Sequence, residues 1–221
     1  MLEHLIPHGF ITQLHSPPQA YPDRALKELY LALSESYQYT QFEIHSGGQG
    51  ATLKQGEKRV CQILSDRLVL KEEPTSQTFE EHIDQLVPIA QEVKTRLNPQ
   101  VWVFQQSILR FLIPFDQPVA PMMKDRLFGM SEDSLALLGR PILGLCFRVE
   151  IPPTPNEPSQ MQLRVEPFFR DQQKMYVELN TRFLQPLQGV EELRVRLMGG
   201  YTYLRENALA FLKDALEDKS V

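Results

Sequence analysis

The sequence predicts an α+β protein of two similar β-α-β(3–4)-α halves, in which antiparallel sheets carry long helices on one face. Three observations lead there. Short segments alternate apolar and polar residues between turns rich in Gly, Pro, Asn and Asp, which is the pattern of half-buried strands. Two longer segments, 79–97 and 190–216, space their apolar residues for helices. The order strand, helix, three or four strands, long helix runs once through residues 1–100 and again through 101–221.

Residues 9–15 read as a short strand closed by Ser16-Pro17-Pro18. Asp23 is placed to cap a helix to about Glu35, with Leu26, Leu29, Tyr30 and Leu33 at helical spacing. Residues 39–45 alternate, with Thr40, Phe42 and Ile44 on one side and Gln41, Glu43 and His45 on the other. Turns at 46–50, 55–58 and 65–66 then fold 51–54, 59–64 and 67–72 into a meander. Thr78 and Glu81 have capping-box spacing and open a helix with a stripe of Phe79, Ile83, Leu86, Val87 and Ala90. Pro88 removes an intrahelical donor and is expected to kink it. The helix ends near Leu97, before Asn98-Pro99.

In the second half, 101–115 reads as a long strand region, and 121–138 as helix, broken near Gly129 and restarted at Ser131. Residues 142–151, 161–169 and 174–184 are expected strands, the last two joined at Asp171-Gln172. Residues 190–216 are expected to be helical with a break at Gly199-Gly200. The two long helices also align, with Glu80-Glu81 matching Glu191-Glu192 and Leu86 matching Leu197, which suggests an internal duplication.

This order looks like the tandem arrangement of TATA-binding-protein-like and helix-grip folds. That likeness implies two half-sheets meeting edge to edge under long helices. The strand Lys58-Arg59-Val60-Cys61-Gln62-Ile63-Leu64-Ser65-Asp66-Arg67-Leu68 is followed by a helix and then by Ser107-Ile108-Leu109-Arg110-Phe111. Together these resemble a sporadically distributed family of uncharacterised bacterial proteins with a Leu-Arg-Tyr strand. Here Phe111 replaces the Tyr, and no Asn follows at the usual distance. The resemblance implies architecture and no activity.

Composition excludes several classes. Of 221 residues, 42% are hydrophobic and 23% charged, which is ordinary globular usage rather than that of a disordered or fibrous chain. No stretch approaches 18 apolar residues, and residues 1–10 lack a basic start and an apolar core, so neither membrane insertion nor a signal peptide is expected. The expected location is cytoplasmic. The net charge is -5, with 10 basic and 13 acidic residues up to Arg110 and 13 and 15 beyond it. A dedicated nucleic-acid binder must neutralise phosphates, so this balance makes nucleic acid an unlikely partner. Cys61 and Cys146 are read as two buried thiols in strand-like runs.

No motif names a reaction. Gly47-Gly48-Gln49 matches the tip tripeptide of peptide-release factors, but it sits between two alternating strands, where glycine supplies a hairpin turn. The same loop lacks the Lys-Ser or Lys-Thr and the following helix of a phosphate loop. His4, His8, His15, His45 and His82 are scattered singly, so no metal and no cofactor are expected. His45 and Ser46 are adjacent on a strand and point apart, which rules out a Ser–His pair, and Cys61 lacks a basic helper.

The informative pattern is charge alternation. Arg148 and Glu150 flank Val149, Arg164 and Glu166 flank Val165, and Glu178, Asn180 and Arg182 alternate with apolar neighbours. Residues two apart share a face, so these side chains are expected on the sheet face opposite the helices. They form either a solvated surface or a polar floor on which Arg148, Arg164 and Arg182 clamp a carboxylate or phosphate. Pro152–158 offers a stiff binding loop, while Met122, Met123, Met130 and Phe128 read first as core filler. With no convergent catalytic set, the expected function is a non-catalytic binding or regulatory protein acting through a protein partner or self-association. The alternative is a small-molecule sensor or enzyme with a cavity between helix and sheet.

Overall fold

A computed structural model describes residues 4–216. The strands are β1 (Ile6–His15), β2 (Gln41–His45), β3 (Gly50–Gln55), β4 (Arg59–Leu64), β5 (Arg67–Glu72), β6 (Phe104–Pro114), β7 (Phe147–Ile151), β8 (Ser159–Pro167) and β9 (Lys174–Phe183). The helices are α1 (Asp23–Tyr37), α2 (Phe79–Leu97), α3 (Val119–Met123), α4 (Glu132–Ala136), α5 (Val190–Tyr203) and α6 (Leu209–Leu216). All nine strands join one antiparallel sheet in the order β2-β3-β4-β5-β1-β6-β9-β8-β7. The protein is therefore α+β, and β1 pairs with β6 near the centre while a meander runs outward on each side.

Period-two alternation decides which face is buried. Phe10 and Leu14 of β1, Leu68 and Leu70 of β5, Leu109 and Phe111 of β6, and Val177 and Leu179 of β9 form one core with Leu29 of α1, Ile83 of α2 and Leu193 of α5. Helix α2 starts as expected. The Thr78 hydroxyl accepts from the Glu81 backbone N–H, and the Glu81 carboxylate accepts from the Thr78 N–H. The Ser131 side chain likewise accepts from the Ser134 N–H at the start of α4. The glycine-rich turn between β2 and β3 holds Gly47 and Gly48 at φ +71° and +70°, a region that L side chains rarely occupy.

Several expectations change. Pro22 precedes α1 and Asp23 is its first residue, so Asp23 acts through its charge on the helix N-terminus and makes no side-chain cap. The expected end of α2 at Leu97 holds, and Pro88 lies within the helix. Only Phe147–Ile151 of the expected strand 142–151 forms. The register pairs Phe147 with Val165, so the next inward-facing position would meet Pro167, which has no N–H to donate. Residues 142–146 leave the sheet there, and Cys146 is exposed rather than buried. Cys61 is buried, and burial pushes its thiol up to about 12.

The expected break at Gly199-Gly200 is also absent. Helix α5 runs through both residues, and a π-helical turn at Leu204–Ala208 follows. A Cβ on Gly200 would stand 3.2 Å from Thr181 Oγ1, so this glycine lets α5 approach β9 closely.

Candidate functional site

The six charged residues singled out in the sequence do not form one cluster. Arg110 of β6 lies at the centre of the open face, with Nε on Glu178 Oε2 at 2.8 Å and Nη1 on Glu73 Oε1 at 2.7 Å. Tyr176 donates to the same Glu178 oxygen at 2.7 Å, and Lys71 lies 3.3 Å from Glu73. Burial and the bond to Glu178 raise the Tyr176 phenol, so it stays a protonated donor. Burial alone would raise Glu73, but Arg110 and Lys71 outweigh it and hold its carboxyl below the usual range. Arg164 pairs with Glu166 at 2.7 Å and lies over the Tyr176 ring. Gln106 donates to Asn180.

Arg182 stands in register with Gln106 and Gln160, four residues along β9 from Glu178, which is roughly 13 Å at strand rise. Arg148 faces Arg164 directly, and Glu150 accepts from its register partner Gln162. Arg148 and Glu150 are exposed at the sheet edge, whereas Glu178 is buried. The register thus brings Glu178 and Arg164 opposite one another but separates Arg182 from both. Sequence reading missed Arg110, Glu73 and Tyr176, because only the pairing of β1, β6 and β9 brings them together.

A second constellation lies under the helices. His82 Nε2 is 3.2 Å from Thr12 Oγ1, and its Nδ1 is 3.5 Å from Glu72 Oε2. Glu72 also accepts from Arg59 Nε and Nη2 at 3.0 and 2.8 Å. Burial holds His82 below the ordinary histidine value against the pull of Glu72, so the ring is neutral at neutral pH. Burial alone would raise Glu72, but the nearby His82 imidazole and the hydrogen bonds from Arg59 outweigh it and lower its carboxyl. The hydroxyl–imidazole–carboxylate order resembles a nucleophilic triad. Thr12 and His82 are both fully buried, however, so substrate has no approach, and the row acts as a polar tie between β1, β5 and α2.

The third place is concave. Between β6 and β7 the chain forms α3, a π-helical turn at Lys124–Phe128, and α4, then runs irregularly to β7. Against the β8–β9 end this segment encloses a groove of about 960 Å³. Pro121, Leu135, Ile142, Leu145, Pro167 and Phe168 give it apolar walls. Leu143 and Phe169 also line it and are 82% and 61% exposed, and Leu137 and Leu138 beside it are 88% and 66% exposed. Lys124 is occupied by Asp125 and Glu132. Arg140 lines the groove, and no ion pair engages it among the described residues. The groove lining includes none of Arg148, Glu150, Arg164, Glu166, Glu178 and Arg182.

The sequence carries a signal for this groove. Leu135, Leu137, Leu138, Ile142, Leu143 and Leu145 cluster among Gly139, Arg140, Pro141 and Gly144, too interrupted for a helix or strand to bury them all. Of the methionines read as core, Met122 and Met123 are buried, whereas Met130 is exposed. Among the described residues, no group of three or more His, Cys, Asp or Glu is placed to hold a metal, and no helix is long and apolar enough to cross a membrane. No family model matches the chain, and no curated protein matches its sequence.

Proposed function

We propose that the protein is a non-catalytic binding protein that takes an apolar, acidic segment of a partner protein into the groove between α3, α4 and the β8–β9 end. One observation carries this reading: Leu137, Leu138, Leu143 and Phe169 stand uncovered around a groove of about 960 Å³ whose one unengaged lining cation, among the described residues, is Arg140. Exposed apolar side chains gathered at a groove, rather than scattered singly, mark interaction surfaces. The guanidinium presents a planar donor fork to a carboxylate on the incoming segment.

Selection of a random displayed-peptide library on the immobilised protein tests it. The expected consensus combines spaced Leu, Ile or Phe with one Asp or Glu. A synthetic consensus peptide should bind at least about tenfold more weakly to Leu143→Asp and to Arg140→Glu. No enrichment, or peptides indifferent to both variants, rejects the reading.

The size of the groove favours a second reading, since small-molecule sites span roughly 300–1,000 Å³ with few polar groups. An apolar carboxylate then replaces the peptide. Dodecanoate should raise the melting temperature of the wild type and leave Arg140→Glu unchanged, and no shift in the wild type sinks this alternative.

We further propose that the two halves descend from one duplicated unit. The repeated element order and the outward meanders on either side of β1 and β6 support this. If superposing the first half on the second fails to align both the strand order and the long helices, the duplication is rejected.

A further inference from the structure

We propose that two copies of the chain pair through β7, antiparallel about a twofold axis at Val149, joining their sheets into one. Strands β2 and β7 are the two edges of the sheet. An edge strand presents a row of unpaired backbone donors and acceptors, a template for another strand. The two edges differ in the charges that pairing about their own centres sets face to face.

Strand β7 reads Phe147-Arg148-Val149-Glu150-Ile151. Pairing about Val149 sets Arg148 of each copy against Glu150 of the other and Phe147 against Ile151. Side chains two apart share a face, so both charge pairs fall on the open face and the apolar pairs on the helix face. Slipping the register by two residues sets Arg148 against Arg148 or Glu150 against Glu150, which repel. Among registers that keep the helices of both copies on one side, only this one forms both opposite-charge pairs. Strand β2 reads Gln41-Phe42-Glu43-Ile44-His45, and pairing about its own centre puts two Glu43 carboxylates face to face.

Two further observations point to β7. In its own sheet Arg148 faces Arg164, which is already paired with Glu166, so no carboxylate engages Arg148 among the described residues. The apolar row is also left unfinished there. Met161, Leu163 and Val165 of β8 are buried, whereas Phe147, Val149 and Ile151 of β7 are only half-buried. Phe211 of α6 stacks on Phe147 and remains 48% exposed. A second copy brings its Ile151 to Phe147 and continues this row.

Sedimentation of the full chain tests the pairing, with circular dichroism to confirm folding, because both charged residues are exposed. The wild type should dimerise. Arg148→Glu and Glu150→Arg should each weaken the dimer at least about tenfold, since each turns both attractive pairs into repulsive ones. The double variant Arg148→Glu/Glu150→Arg should restore it. In a Cys146→Ser background, Val149→Cys should cross-link the two copies on oxidation, because facing antiparallel positions lie within disulfide reach. A monomer at about 100 µM, assemblies that keep growing with concentration, or a dimer indifferent to both single swaps overturns the proposal.

Discussion

The helix face of the sheet is finished differently over its two outer ends. Over β2 and β3, α1 runs unbroken for 15 residues, buries Leu26, Leu29 and Leu33, and stacks Tyr30 on Phe42 with ring centres 4.5 Å apart. In the same place in the element order, the second half has two five-residue helices around a π-helical turn, and a groove of about 960 Å³ opens beside them. The cause is local sequence. Residues 23–37 contain neither Gly nor Pro, whereas Pro118, Pro121, Gly129, Gly139, Pro141 and Gly144 punctuate the second connection. An unbroken amphipathic helix seals the sheet, and an interrupted one leaves apolar side chains for an occupant.

The largest expected effect follows from the sealed end. Leu29→Ala removes a fully buried side chain from a closed core and should cost about 2–5 kcal/mol in denaturant unfolding. A loss below 1 kcal/mol means that α1 does not seal the sheet as described. Next comes the polar seam that joins the halves. Arg110→Ala leaves buried Glu178 without its cation and frees Glu73, which should cost about 2–4 kcal/mol. If the Tyr176 bond alone holds Glu178, the variant will unfold near the wild-type midpoint instead.

The buried tie in the first half sharpens the contrast through pH. His82 titrates below 6.5 when folded, so between its folded value and 6.5 the unfolded chain binds more protons. Stability is therefore full above pH 6.5 and falls as the solution is acidified below it. Glu72, also lowered, acts in the same direction at lower pH: its contribution is present above its ordinary value of 4.5 and is lost as pH falls through the folded value. His82→Gln should flatten the slope below pH 6.5 but not abolish it, because His8 and His15 are lowered by burial too. An unchanged slope removes His82 from the account. The smallest effect belongs to the open end, where Leu143→Ser should shift stability by no more than about 0.5 kcal/mol because the side chain is 82% exposed.

Much of this was legible from residues. The capping box at Thr78, the meander strands 59–64 and 67–72, and the restart at Ser131 depend on local spacing, and the structure places them where spacing does. Misreadings came where tertiary context overrides a local rule. Gly200 reads as a helix breaker, yet its missing side chain eases the close approach of α5 to Thr181. Residues 142–146 read as strand, yet Pro167 withholds the partner they need. The Arg110–Glu178–Glu73 seam joins residues 37 to 68 positions apart, and no single strand's alternation displays it. The groove was half legible, since its leucines are visible in sequence but their exposure depends on how the irregular stretch between α4 and β7 is laid out.

The central claim is that the open end, not the sealed one, receives an occupant. Titration calorimetry with a consensus peptide from the library selection compares the two directly. Leu143→Asp at the groove and Leu31→Asp on α1 put the same charge at exposed leucines, 82% and 60% exposed. The account predicts binding at least about tenfold weaker for Leu143→Asp and unchanged for Leu31→Asp. Equal loss in both variants, or none in either, would contradict it.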